Sequence, residues 1–180
     1  GAGDNVSYGW YIDNIELKIG PIEYSAFEDW EDGIKDWYAS NGTWELGIPT
    51  AGPDSAYSPA RCVGTHLSGN YTIRTNSRFE SPYITIPEAA ENPRLQFWHW
   101  FLFSVSDYGN LQIREQGTAQ WTDIYGPFTS SSSDVWSNCI VDLSAYAGKT
   151  VQLGFNFHSA DGGAGDNVSY GWYIDNIELK

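Results

Sequence analysis

The chain is poor in positive charge. Its 180 residues carry 9 Lys and Arg against 23 Asp and Glu, a formal net charge of −14. Such a chain repels phosphate backbones and anionic lipid, so nucleic acid and membrane surfaces are not expected partners. Cations, metal ions and neutral polymers suit it better. Methionine is absent, and with it an initiator, as expected of a chain processed or excised from something longer. No apolar run approaches the roughly 20 residues of a membrane helix, so membrane insertion is not expected, and no stretch reads as a signal peptide. There are two cysteines, Cys62 and Cys139, too few for a disulfide scaffold and without zinc-site spacing. They make either one long-range bridge, favoured in an exporting compartment, or two buried thiols. Enzyme motifs are lacking as well. There is no Gly-x-Ser-x-Gly elbow, no His-Glu-x-x-His and no phosphate loop, and the chain does not read as an enzyme. No segment shows a clean helical period.

Aromatic residues are plentiful: 9 Trp, 12 Tyr and 8 Phe. That is ample for a core and too rich for a disordered chain. The most informative feature is a repeat. Residues 1–18 and 163–180 both read GAGDNVSYGWYIDNIELK, identical at all 18 positions. Nothing else repeats, so the period is the whole domain. The segment GWYIDNIEL has the aromatic and β-branched content of a strand. A sandwich has one slot for its closing strand, yet the chain supplies that strand twice. The domain is therefore expected over 19–180. Residues 1–18, with Trp10, Tyr11, Ile12, Ile15 and Leu17, are expected to belong to a preceding repeat or a neighbouring subunit. Trp172, Tyr173, Ile174, Ile177 and Leu179 close the domain itself. An unpaired apolar strand is an assembly device or an aggregation hazard.

Strand signals recur at short intervals between turn residues: 23–28, 36–39, 44–47, 61–66, 77–80, 83–86, 95–104, 110–116, 121–126, 138–142, 150–158 and 170–179. In 151–157, Val151, Leu153, Phe155 and Phe157 share one face. Residues 97–103 are apolar on both faces, as in a central strand buried on each side or one with a face covered by a neighbouring module. Many short strands, little helix and abundant Gly predict an all-β fold, an antiparallel β-sandwich of jelly-roll type.

Several motifs occur in a fixed order: Phe27-Glu28-Asp29 with Asp36-Trp37, Gly64-Thr65 through Asn70-Tyr71, Ser81-Pro82-Tyr83-Ile84, Leu95 to Trp100, Val141-Asp142-Leu143-Ser144, and Gly171 to Ile177. Together they resemble the MAM-like and cleaved-adhesin (choice-of-anchor) jelly-roll modules of secreted prokaryotic proteins, over nearly all of 27–179. The resemblance implies a calcium-stabilised jelly roll used in adhesion or as an accessory domain of exported enzymes, hence an extracellular or cell-surface location. It supports a structural calcium site at Glu28 and Asp175, aided by backbone oxygens of 65–70. Asp175 sits on an otherwise apolar strand face and must be paired, hydrogen-bonded or metal-bound. Calcium takes 6–8 oxygen ligands; the alternative is a carboxylate accepting hydrogen bonds from Trp or backbone groups. The Asp161–Asp166 stretch reads as a Gly-rich loop, and His99 as a satisfied core histidine.

The expected function is a structural or adhesive repeat module of an extracellular surface protein or filament, whose partners are copies of itself. The alternative is a calcium-stabilised carbohydrate-binding or adhesin module of a secreted enzyme. Jelly rolls bind glycans through exposed aromatic faces, for which Trp30, Trp37, Trp44, Trp121 and Trp136 are candidates. Sequons at Asn5, Asn41, Asn70 and Asn167 are glycosylation candidates if the producing cell modifies exported chains.

Overall fold

The computed structural model describes residues 27–129, 132–160 and 167–180. Among them lie twelve strands: β1 (Phe27–Glu28), β2 (Tyr38–Ser40), β3 (Glu45–Gly47), β4 (Cys62–Gly64), β5 (Asn76–Glu80), β6 (Ile84–Thr85), β7 (Arg94–Leu102), β8 (Tyr108–Glu115), β9 (Thr122–Thr129), β10 (Ser137–Asp142), β11 (Thr150–His158) and β12 (Gly171–Leu179). Among the described residues helix is confined to two 3-10 turns, Ala89–Glu91 and Ser144–Tyr146. The predicted strands match these closely, because alternating apolar residues between Gly, Pro and Asn turns dictate them; β11 spans the predicted 150–158.

The strands form two antiparallel sheets. The first runs β10-β7-β12-β4-β3, and β1 also pairs with β12; the second runs β2-β5-β11-β8-β9, and β6 also pairs with β11. The closing strand β12 is thus interior to its sheet. It pairs with β7 on one side, and with β4 and then β1 on the other.

Alternation decides which side chains meet between the sheets. Leu95, Phe97 and Phe101 of β7, Leu111 and Ile113 of β8, Val151, Leu153, Phe155 and Phe157 of β11, and Trp172, Ile174 and Ile177 of β12 form one buried core. Trp30, Trp37 and Trp44 pack into it around Phe79, with ring centroids 5.1–5.7 Å apart. The other side of the first sheet is also covered. Tyr173, Cys62 and Trp100 pack there with Ala56 and Leu67 in a second cluster. The 48–60 loop lies over that side, Tyr57 stacking on Trp98 at 3.9 Å. This accounts for a β7 that is apolar on both faces.

One register feature departs from the sequence reading. Simple alternation places Tyr173, Asp175, Ile177 and Leu179 together. Asn176 instead adopts φ 47°, and the β12–β7 ladder shifts between Asp175 and Glu178. The bulge inserts one residue. Tyr173 and Asp175 therefore face outward, whereas Ile177 and Leu179 join the core with Trp172 and Ile174. The first-copy residues Trp10, Tyr11, Ile12, Ile15 and Leu17, and the boundary between 1–18 and 19–180, lie outside the described residues.

Candidate functional site

The residues expected to bind calcium are engaged otherwise. Glu28 is opposite Ile177 in the ladder, on the core side, and its carboxylate takes the Lys35 ammonium at 2.6 Å. Burial raises the Glu28 pKa, and Lys35 pulls it back. Asp175 faces the other side. Its carboxylate accepts the backbone N–H of Ser58 at 3.1 Å and of Asn176 at 2.8 Å. In the 65–70 loop, the Leu67 carbonyl accepts N–H from Thr50 and Ala51, and the His66 carbonyl accepts the Tyr173 hydroxyl. Among the described residues no group of three or more His, Cys, Asp or Glu side chains is placed to hold a metal. The expected donor set does not fit calcium: one carboxylate already has its cation, the other is ringed by N–H donors, and the two are on opposite sides of a sheet. The Asp161–Asp166 stretch lies outside the described residues.

The structure also corrects the Cys62–Cys139 bridge. Both thiols are free and buried. Cys139 is on β10 and Cys62 on β4, with β7 and β12 between them. Three strand spacings of about 4.8 Å far exceed the reach of a disulfide, and the two side chains pack on opposite sides of the sheet. Cys139 Sγ instead lies 3.3 Å from His99 Nε2, while the Trp172 indole N–H donates to His99 Nδ1 at 3.2 Å. Burial pushes His99 down to about 4 and Cys139 up to about 11. The pair is neutral and enclosed, so His99 is a satisfied core histidine.

Trp30, Trp37 and Trp44 are core residues, unavailable to a ligand. Trp136 is partly buried against the outer cluster of the first sheet, its indole N–H donating to the Ser55 carbonyl. Trp121 alone of the five candidates stands on the outer side of the second sheet. Asn41, Asn70 and Asn167 are exposed, whereas Asn5 lies outside the described residues.

That outer side is polar. Because Leu111, Ile113, Leu153, Phe155 and Phe157 point inward, their neighbours on β8 and β11 point out. The ladder pairs them in four successive rungs: Arg114 with Gln152, Gln112 with Gly154, Asn110 with Asn156, and Tyr108 with His158. At the first rung, Arg114 donates to Gln152 at 2.5 Å and lies 3.4 Å from Glu80, a carboxylate only 5% exposed. Arg78 donates to Gln112 at 2.7 Å and approaches the same Glu80 at 3.7 Å. Gln112 in turn donates to Asp123 at 2.7 Å. Trp121 covers this network, with both guanidinium carbons 4.5 Å from its ring centre. The second rung permits this because it holds a glycine. A Cβ on Gly154 would lie 2.9 Å from the Trp121 ring and 2.5 Å from Arg78 Cδ.

At the third rung, the side-chain oxygens of Asn110 and Asn156 are buried without a hydrogen-bond partner. Each residue is 7% exposed. An unsatisfied buried acceptor costs about 1–3 kcal/mol, and two such acceptors are paired across one ladder. At the fourth rung, Tyr108 and His158 stack at 4.8 Å. The face thus carries an indole and an aromatic stack in line, with the two unpaired acceptors buried between them. Sequence reasoning had Trp121 among five equals and missed Asn110 and Asn156, which become a pair only in register.

No family model matches this chain. It is similar to bacillopeptidase F of Bacillus subtilis (strain 168), 33% identical over 194 residues covering 99% of this chain and 13% of that protein. It is also similar to the pre-pro-metalloprotease PrtV of Vibrio cholerae serotype O1 (strain M66-2), 34% identical over 106 residues covering 54% of this chain and 11% of that protein. The chain therefore spans a small part of the length of either relative. Among solved structures it is similar to TmCBM61 in complex with β-1,4-galactotriose, with a TM-score of 0.54 and 14% identity over 84% of this chain and 93% of that one. A second is SGBP-B from a xyloglucan utilization locus in Bacteroides uniformis, with a TM-score of 0.53 and 16% identity over 84% of this chain and 48% of that one. At these identities the structural likeness shows the fold: an antiparallel β-sandwich with carbohydrate-binding jelly rolls as neighbours.

Two outcomes follow from the buried groups. Both thiols should stay unreactive toward a thiol reagent in the folded protein, and both should react after denaturation without any reductant; a native mass lower by one disulfide would contradict this. Burial pushes Asp175 up to about 7, with backbone N–H donors from Ser58, Asn176 and Tyr57 pulling it back. The unfolded chain releases that proton near pH 4, so the folded state holds an extra proton between about pH 4 and pH 7. The Asp175 contribution to stability therefore falls as pH rises through that window and is level above it. In Asp175→Asn this limb is absent, and the wild-type-minus-variant unfolding free energy, measured by urea melts, should decline by about 1–4 kcal/mol from pH 4 to pH 7.

Proposed function

We propose that the chain is a non-catalytic binding module that recognises a neutral polysaccharide through the outer face of its second sheet. The observation that carries this is the line of Trp121, the polar network it covers and the Tyr108–His158 stack along one side of the second sheet. Aromatic rings pack against the apolar faces of sugar rings, and the polar side chains around Trp121, among them Arg114, Gln112 and Asp123, offer partners for sugar hydroxyls. Arg78 and Arg114 are offset by Glu80 and Asp123, so the face does not select an anionic ligand, and the chain's net charge of −14 opposes one. The similarity to two proteases and the carbohydrate-binding neighbours support an accessory module of a larger, extracellular protein. Among the described residues no helix is long and apolar enough to cross a membrane. The MAM-like and cleaved-adhesin resemblance is compatible with this role.

A second reading, a repeat module of a surface protein or filament, is favoured by the identity of residues 1–18 and 163–180. It concerns how the module is carried, and a module in an array can bind glycan too.

Affinity electrophoresis in gels containing soluble galactan, xylan, xyloglucan or mixed-linkage glucan tests the binding reading. At least one should retard the wild type. Trp121→Ala should lose affinity by about 10-fold or more, the scale of a buried aromatic anchor, with little change in melting temperature because the ring lies outside the core. Equal migration in every gel would overturn the proposal.

A further inference from the structure

We infer that the end of the sandwich where β8 turns into β9 holds a second binding site, which takes one neutral pyranose ring, as a free monosaccharide or as the end unit of a chain. It is separate from the Trp121 face and does not rest on that reading. A cavity of about 250 Å³ lies there, between the β8–β9 turn and the 3-10 turn Ser144–Tyr146. It is lined by Ile113, Glu115, Thr118, Gln120, Thr122 and Tyr146.

Strand parity brings these side chains together. Thr122 is opposite Ile113 in the β8–β9 ladder and shares its inward side, whereas Trp121 beside it turns outward. Ile113 is only 1% exposed, and Tyr146 packs against the core from the facing side. Both walls are pinned by the backbone. The Gln116 N–H donates to the Thr150 carbonyl, and the Thr118 N–H to the Glu115 carbonyl. Across the cavity, the Tyr146 N–H donates to the Leu143 carbonyl, and the Lys149 N–H to the Tyr146 carbonyl. Thr150 begins β11 and Lys149 precedes it, so both walls are tied to one place in the second sheet. The cavity is therefore built before any ligand arrives, as small-molecule sites usually are.

Size and chemistry then define the ligand. A cavity of about 150 Å³ accommodates benzene, so one of about 250 Å³ suits a single six-membered ring with its hydroxyl groups and is too small for two. The charges at the site are already matched. Lys149 Nζ is 2.7 Å from Glu115 Oε1 and 5.5 Å from the centre of the Tyr146 ring. An ionic ligand would have to compete with that pair, and a neutral one does not. Among the described residues the Thr122 hydroxyl, the Gln120 amide and the Tyr146 hydroxyl have no hydrogen-bond partner. They offer donors and acceptors to ligand hydroxyls, while Ile113 and the Tyr146 ring offer apolar surface to a sugar's C–H face. A wholly apolar ligand would strip water from these polar groups without replacing it.

Nitrogen-15 NMR of the full chain, titrated with D-galactose, D-glucose and D-xylose and with a β-linked trisaccharide of each, tests this. At least one sugar should give saturable shifts at the backbone amides of Thr118, Gln120, Thr122 and Tyr146, with a Kd of about 1–10 mM for a monosaccharide. Saturation by a monosaccharide supports the site with a free sugar as its ligand; saturation by a trisaccharide alone supports it with a chain end. Thr122→Val keeps the side-chain shape and removes the hydroxyl, and should weaken binding by about 3–10-fold. Tyr146→Ala should abolish it; if that variant does not melt cooperatively, Thr122→Val decides. No saturable shift at these amides with any of the sugars would overturn the inference, and so would an unchanged affinity in Thr122→Val. Shifts at the Trp121 indole N–H with none at Tyr146 would overturn this site and leave the Trp121 face standing. Shifts at Tyr146 and Thr122 with none at that indole would support this site and count against the Trp121 face.

Discussion

A strand has two sides, and β11 gives only one of them to the core. Val151, Leu153, Phe155 and Phe157 fill the space between the sheets, so Gln152, Gly154, Asn156 and His158 must line the outer side. The antiparallel partner β8 obeys the same parity, and register then sets Arg114, Gln112, Asn110 and Tyr108 opposite them. The polar face is therefore a consequence of the core. Moving β11 by one residue would bury its amides and expose four apolar side chains, at a cost the domain cannot meet. Within that face, Gly154 leaves room for Trp121, and the paired Asn oxygens are left without donors.

The first sheet solves the same problem differently. β12 is interior and buried on both sides, so its outward residues need a cover. The 48–60 loop supplies it, with Tyr57 on Trp98 and the Ser58 N–H on the Asp175 carboxylate. The bulge at Asn176 is what lets one strand serve both layers: it puts Asp175 beneath the loop and returns Ile177 and Leu179 to the core. The two outer faces are thus unequal. One is covered by the 48–60 loop, and the other is lined by a polar network that Trp121 covers.

Most of the fold was legible in the sequence. Period-2 alternation and Gly, Pro and Asn punctuation mark strands directly, and β11 shows how far that goes. Strand order is not written locally, and this is why the Cys62–Cys139 bridge failed: two buried cysteines look alike until β7 and β12 are seen between them. The Asn176 bulge was hidden because an Asn inside a strand reads as an ordinary outward residue, and its left-handed backbone has no sequence signature beyond Asn's tolerance for it. Asp175 stood out as a carboxylate needing partners, and the structure provides backbone N–H groups, the alternative left open beside calcium. Trp121 could not be separated from Trp30, Trp37 and Trp44, because burial of a loop-borne Trp depends on what packs over it. Asn110 and Asn156 gave no signal at all, being 46 positions apart in the chain.

The central claim is the proposal that ligand meets the protein on the outer side of the second sheet, around Trp121. The most direct measurement is a nitrogen-15 NMR titration of the full chain with an oligosaccharide cut from whichever polysaccharide it binds. The account predicts shifts concentrated at the Trp121 indole N–H, the side-chain amides of Asn110 and Asn156, and the backbone of β8 and β11. Shifts confined to the 48–60 loop and the first sheet would contradict it.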